Sequence, residues 1–105
     1  MANPYAGEVA LVVNGQRHLM KLTLGALVEL EMALKAESLV ALVERFEAGG
    51  YSARDVIALL AAGLSGAGWT GDAQDLARAD IEGGPVEAAR AAAELLARSF
   101  AVPNI

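Results

Sequence analysis

Glu8-Val9-Ala10-Leu11-Val12-Val13-Asn14-Gly15-Gln16-Arg17-His18-Leu19-Met20-Lys21-Leu22 is the stretch that decides how this 105-residue chain is organised. Two runs of strand length flank Asn14-Gly15, the first of them rich in valine. A type I′ turn needs positive φ at both central positions, and asparagine followed by glycine meets that need best. The spacing predicts a β-hairpin over residues 8–22 that pairs Val13 with Gln16, Leu11 with His18 and Glu8 with Lys21. The last pair is opposite in charge, which favours this register. Alternation then puts Val9, Leu11, Val13, His18, Met20 and Leu22 on one face, the better candidate for the core. The other face carries Glu8, Ala10, Val12, Arg17, Leu19 and Lys21. It is half apolar and is expected to be covered in part.

Outward from the hairpin, helices follow. Residues 1–7 read as a flexible tail, because Asn3-Pro4 and Gly7 interrupt any regular element. Thr23 is a good N-cap for a helix over 24–35, in which Leu24, Leu27, Val28, Leu30, Glu31 and Leu34 recur at three and four residues and Glu31 precedes Lys35 at i,i+4. Ser38 caps a helix over 38–47 with the stripe Leu39, Leu42, Val43 and Phe46, closed by Gly49-Gly50. Ser52 and Asp55 form a capping box for a helix over 52–64, which is expected to fade at Gly63, Ser65, Gly66 and Gly68. Asp72 caps a short helix over 72–79. Pro85 opens the last one, over 85–100, with the stripe Val86, Ala89, Ala93, Leu96 and Phe100 and the charge spacings Arg90–Glu94 and Glu94–Arg98. Pro103 ends regular structure and leaves 103–105 as a tail. The fold class is α+β and mostly helical. One domain over 8–102 holds an N-terminal hairpin followed by a small bundle of four or five helices.

Composition excludes several kinds of chemistry. Hydrophobic residues make up 55% and charged residues 20%, so most of the chain must collapse. Val56 to Thr70 is weakly charged but shorter than the roughly 20 apolar residues a membrane span needs. The N-terminus shows no basic region followed by an apolar one, so no secretory signal is expected. With no cysteine there is no disulfide, thiolate nucleophile or cysteine-based zinc site. Thirteen acidic against eight basic residues give a net charge of −5, which opposes direct contact with nucleic-acid phosphates. His18, the single histidine, sits mid-strand without a nucleophile or an orienting carboxylate nearby in sequence, so it reads as structural. Asp72, Asp75 and Asp80 lack the spacing of a calcium loop and read as cap and solvated surface. Gly63, Gly66 and Gly68 match no phosphate-loop pattern. No catalytic residue, metal ligand or cofactor is expected, and the absence of heptads fits a monomer or weak homo-oligomer.

What remains is surface. Trp69, set in Gly66-Ala67-Gly68-Trp69-Thr70-Gly71, reads either as a plug at the end of the third helix or as an aromatic anchor for a partner. The hairpin is the other feature, because an isolated two-stranded ribbon is marginal and must pack on helices or pair along an edge.

The junction Leu22-Thr23-Leu24-Gly25-Ala26-Leu27-Val28-Glu29-Leu30-Glu31 resembles the small tail proteins of gene transfer agents and siphophages, described as tail assembly chaperones or gene-transfer-agent tail proteins. The resemblance takes in Gly7-Glu8-Val9, the Asn-Gly turn, Ser38-Leu39, Phe46 and the run from Ser52 to Gly63. It covers residues 7–68, while the rest agrees in helical character and length. It implies a non-enzymatic, intracellular (cytoplasmic) assembly factor that binds the tape-measure or tail-tube protein before tail polymerisation. It brings no catalytic or metal residue. A tube subunit needs a sheet long enough to close a ring, and two strands favour the chaperone role over a tube subunit; a permanent structural tail component that binds its neighbours through the hairpin edge is the alternative. A groove between helices would mask an apolar stripe of the partner and leave some of Leu30, Val43, Phe46 and Trp69 uncovered. The expected binding patch centres on Trp69 and Phe46 and is ringed by acidic residues.

Overall fold

The computed structural model describes residues 8–34 and 38–99. The expected tails, the Glu31–Lys35 pair and Phe100 involve residues outside that range. The hairpin consists of β1 (Val9–Val13) and β2 (Gln16–Met20), antiparallel, with Val9 opposite Met20, Leu11 opposite His18 and Val13 opposite Gln16. Asn14 and Gly15 both have positive φ, +51° and +80°, as a type I′ turn requires. Val9, Leu11, Val13 and Met20 are buried, while Ala10, Val12 and Leu19 on the opposite face are half-buried. The ladder stops at Val9 and Met20, so Glu8–Lys21 is not one of its pairs. Beyond it, the Lys21 amide donates to the Gly63 carbonyl at 3.0 Å and the Glu8 carbonyl accepts from Arg98 at 2.6 Å.

Five helices follow: α1 (Leu24–Ala33), α2 (Leu39–Ala48), α3 (Ala53–Gly66), α4 (Ala73–Ala77) and α5 (Gly84–Ser99). Their starts are set by side chains that accept otherwise unpaired amides. Thr23 takes the Ala26 N–H and Ser38 the Ala41 N–H. Ser52 with Asp55, and Asp72 with Asp75, form reciprocal capping boxes. Asp72 and Asp75 are therefore occupied as a cap, and among the described residues no group of three potential metal-binding side chains gathers.

α3 lies at the centre, packed against α1, α4, α5 and β2, while α5 also covers β1. Leu59, Leu60 and Leu64 of α3 meet Leu95 and Leu96 of α5, Leu30 of α1, Leu42 of α2 and the inner face of the hairpin in one core. Gly63 lies within α3 and Gly66 is its last residue, and at both other parts of the chain pass too close for a side chain. A methyl at Gly66 would stand 2.0 Å from the Lys21 carbonyl oxygen and 3.4 Å from Ala26 Cβ. One at Gly63 would stand 2.5 Å from Leu95 Cδ2 and 3.0 Å from Met20 Cβ.

Two helical faces differ from the periodic expectation. In α1 the buried positions are Ala26 and Leu30, and Leu24 and Val28 point outward. That helix is apolar almost all round, so periodicity alone does not choose its inner side. The close approach of Ala26 to Gly66 chooses it. In α5 the buried positions are Ala88, Ala91, Ala92, Leu95 and Leu96, and Val86 is exposed. Alanines on several sides leave the inward face to be set by where the two leucines reach the core. The Arg90–Glu94 and Arg98–Glu94 pairs form as the spacing predicts, on a partly exposed face where such pairs contribute little. One segment was not legible beforehand. After α4, Ile81 bridges to Val13, the Glu82 amide donates to the Val12 carbonyl, and Asn14 Oδ1 accepts from the Asp80 amide at 2.8 Å.

The Gly66 contact predicts a clean contrast. Gly66→Ala gains helix propensity but forces Lys21 and α3 apart, and is expected to lower stability by about 2–3 kcal/mol or more. Gly50→Ala, which meets nothing within 4 Å, is the control and should stay near wild type in urea unfolding. Equal midpoints for the two variants would contradict the crossing described here.

Candidate functional site

With no cluster of chemical groups to build from, the candidate site is a set of surfaces. The most exposed is on α1. Leu24, Val28 and Met32 are spaced at i, i+4 and i+8 and are 82%, 55% and 74% exposed. At 3.6 residues per turn they form one strip that spans about 12 Å along the axis. Successive positions turn by about 100°, so Glu31 falls on one margin of the strip and Glu29 on the other. Both carboxylates are exposed. The opposite side of α1 rests on α3 through Ala26 and Leu30.

A second surface lies where α2 meets α5. α2 presents Leu42 to the core and leaves Leu39, Val43 and Phe46 half-buried. The rings of Phe46 and Tyr51 stack with centroids 4.6 Å apart and 6° between planes. Val43 and Phe46 border a shallow hollow with Ala93 and Leu96 of α5. On the other side of Tyr51, a groove of about 500 Å³ runs between the start of α3, α4 and the start of α5, lined by Val56, Ile57, Leu76, Ile81 and Pro85.

α2 is held in place by one charged clamp. Asp55 is 7% exposed and accepts from Arg45 Nε and Nη2, both at 2.9 Å, and from the Ser52 amide at 2.9 Å. Burial alone pushes the Asp55 carboxyl up. The Arg45 hydrogen bonds, the Ser52 contacts and the Arg45 charge outweigh it and hold the group below its ordinary value.

The four residues singled out from sequence do not meet in one patch. Leu30 is fully buried in the core. Val43 and Phe46 sit together at the α2–α5 seam. Trp69 is half-buried and packed against the core, with its ring over Gly71, just beyond the end of α3. Tyr51, the stacking partner of Phe46, precedes the start of α3, and a helix of 14 residues is about 21 Å long. Trp69 and Phe46 therefore mark opposite ends of the molecule's central helix. Sequence reasoning missed Leu24, Val28 and Met32 as a strip. The signal was present in a helix that carries two apolar faces when a single neighbour needs only one.

Compared with known families, residues 6–102 match the one described as phage tail tube protein, GTA-gp10. The match runs past Gly68 and takes in all of α4 and α5. No curated protein and no solved structure matches the chain.

Two measurements check the packing of these surfaces. A carboxyl held below its ordinary value stabilises the fold fully above about pH 4, and the contribution is lost as pH falls through the depressed value. Asp55→Asn is expected to cost about 2 kcal/mol at neutral pH and to flatten the acid limb of a stability–pH curve. An unaltered acid limb would show that the clamp does not govern it. Trp69→Ala should cost about 2–3 kcal/mol, less than a fully buried aromatic, and an unchanged urea midpoint would mean the ring rests on its own loop alone.

Proposed function

Because the chain belongs to the phage tail tube protein, GTA-gp10, family, we propose that it is a non-enzymatic assembly factor for a phage-like or gene-transfer-agent tail. In this reading it acts inside the bacterial cell while particles are built and binds the tape-measure or tail-tube protein before assembly. The carrying observation is the sheet. A subunit that builds a tube from β-structure needs strands enough to close a ring with its neighbours. Among the described residues the sheet is β1–β2, and residues 80–82 already lie along the outer edge of β1 near the turn. A small helical domain with apolar side chains left on its helices suits temporary cover for a partner better than it suits a ring.

Such cover has a physical purpose. A long helical partner with an apolar stripe aggregates while it waits for its tube. A domain of net charge −5 that masks the stripe keeps the pair soluble and attracts basic segments. The half-buried Phe46, Val43 and Trp69 add smaller contacts in this reading, and Leu30 supports α1 from beneath.

The description of the family as tail tube proteins favours a second reading, in which the chain is a permanent tail component that pairs with its neighbours through the hairpin. Particle composition separates the two. The protein should co-purify with an unassembled tail protein from producing cells and be missing from finished tails. Its presence in stoichiometric amount in purified tails would reject the assembly-factor role.

A further inference from the structure

We propose that the outer strip of α1 is a docking site for an amphipathic helix of another protein, one whose apolar stripe is flanked by lysine or arginine. This deepens the assembly-factor reading by naming a surface and the chemistry of its occupant. The spacing of Leu24, Val28 and Met32 is that of a helix-to-helix contact, in which side chains four apart form a ridge that enters the groove of a second helix. The strip is not needed for folding, because Ala26 and Leu30 hold α1 to α3 from the other side.

Charge decides the occupant. Over Leu24–Ala33 the helix carries Glu29 and Glu31 and no basic residue. These carboxylates border the strip on both margins. A second copy of the chain, docked by a two-fold axis on the same strip, would bring four carboxylates around one apolar seam to which α1 itself contributes no basic residue. A partner helix with basic flanks pairs with them instead.

The test uses the full chain and two synthetic helical peptides of about 18 residues, or five turns. Both carry the same leucine stripe, one flanked by lysine and the other by glutamate, and binding is read by fluorescence anisotropy. The lysine-flanked peptide should bind. Leu24→Ser/Val28→Ser/Met32→Ser should weaken it about tenfold or more with thermal unfolding unchanged, since these side chains are exposed. Glu29→Lys/Glu31→Lys should transfer the preference to the glutamate-flanked peptide. Equal binding of both peptides, or binding indifferent to the serine substitutions, would overturn the proposal. So would self-association of the wild-type chain that the serine substitutions abolish, which would make a second copy the occupant. These outcomes are independent of particle composition: the chain's presence in finished tails would remove the assembly-factor role and leave the strip, and peptide indifference would do the reverse.

Discussion

The crossing of the hairpin over α3 holds the rest of the molecule in place. The Lys21 amide donates to the Gly63 carbonyl, and the Lys21 carbonyl lies against Gly66 one turn further on. A helical carbonyl near a C-terminus is short of partners, and here a strand end supplies one. The absence of two side chains lets backbone meet backbone. Once that contact is made, Met20 enters the space beside Leu95 and Ala26 comes down on Gly66, so α1 and α5 are positioned by the same two glycines. The inward sides of three elements follow from a single approach.

This explains what was legible in the sequence and what was not. The hairpin was legible because Asn14-Gly15 admits few alternatives and fixes the register of every pair behind it. Helix starts were legible for a similar reason, since Thr23, Ser38, Ser52 and Asp72 each satisfy local backbone amides. The inner faces of α1 and α5 were not, because leucine, valine and alanine occur on too many sides of those helices for period alone to choose. Gly63 and Gly66 look like helix breakers in isolation, and only a passing strand gives them another purpose. The contact of residues 80–82 with β1 has no local signature at all.

The same ambiguity hid the candidate surface. An aromatic residue between glycines draws attention, yet Trp69 folds back on the core, and Phe46 is engaged with Tyr51 far from it. Leu24, Val28 and Met32 look like core because they are large and apolar, and they are exposed because α1 has a second apolar side that the core takes instead. In a tail-protein family, where the work is done between chains, an excess of apolar faces over internal neighbours is the more informative quantity.

Asn14 shapes the life of the chain before it is complete. Its side chain and amide both engage Asp80, 66 positions later, and Arg98 reaches back to Glu8. The hairpin is local and can form early on the ribosome, but the turn end of the outer edge of β1 stays unpaired until residues 80–82 have emerged. Closure of such distant contacts comes late because chain entropy opposes it until most of the chain is present. During synthesis the nascent N-terminal half therefore carries an open strand edge. Translation that stalls before Asp80 would leave that stretch of edge unpaired, a template to which another strand can add.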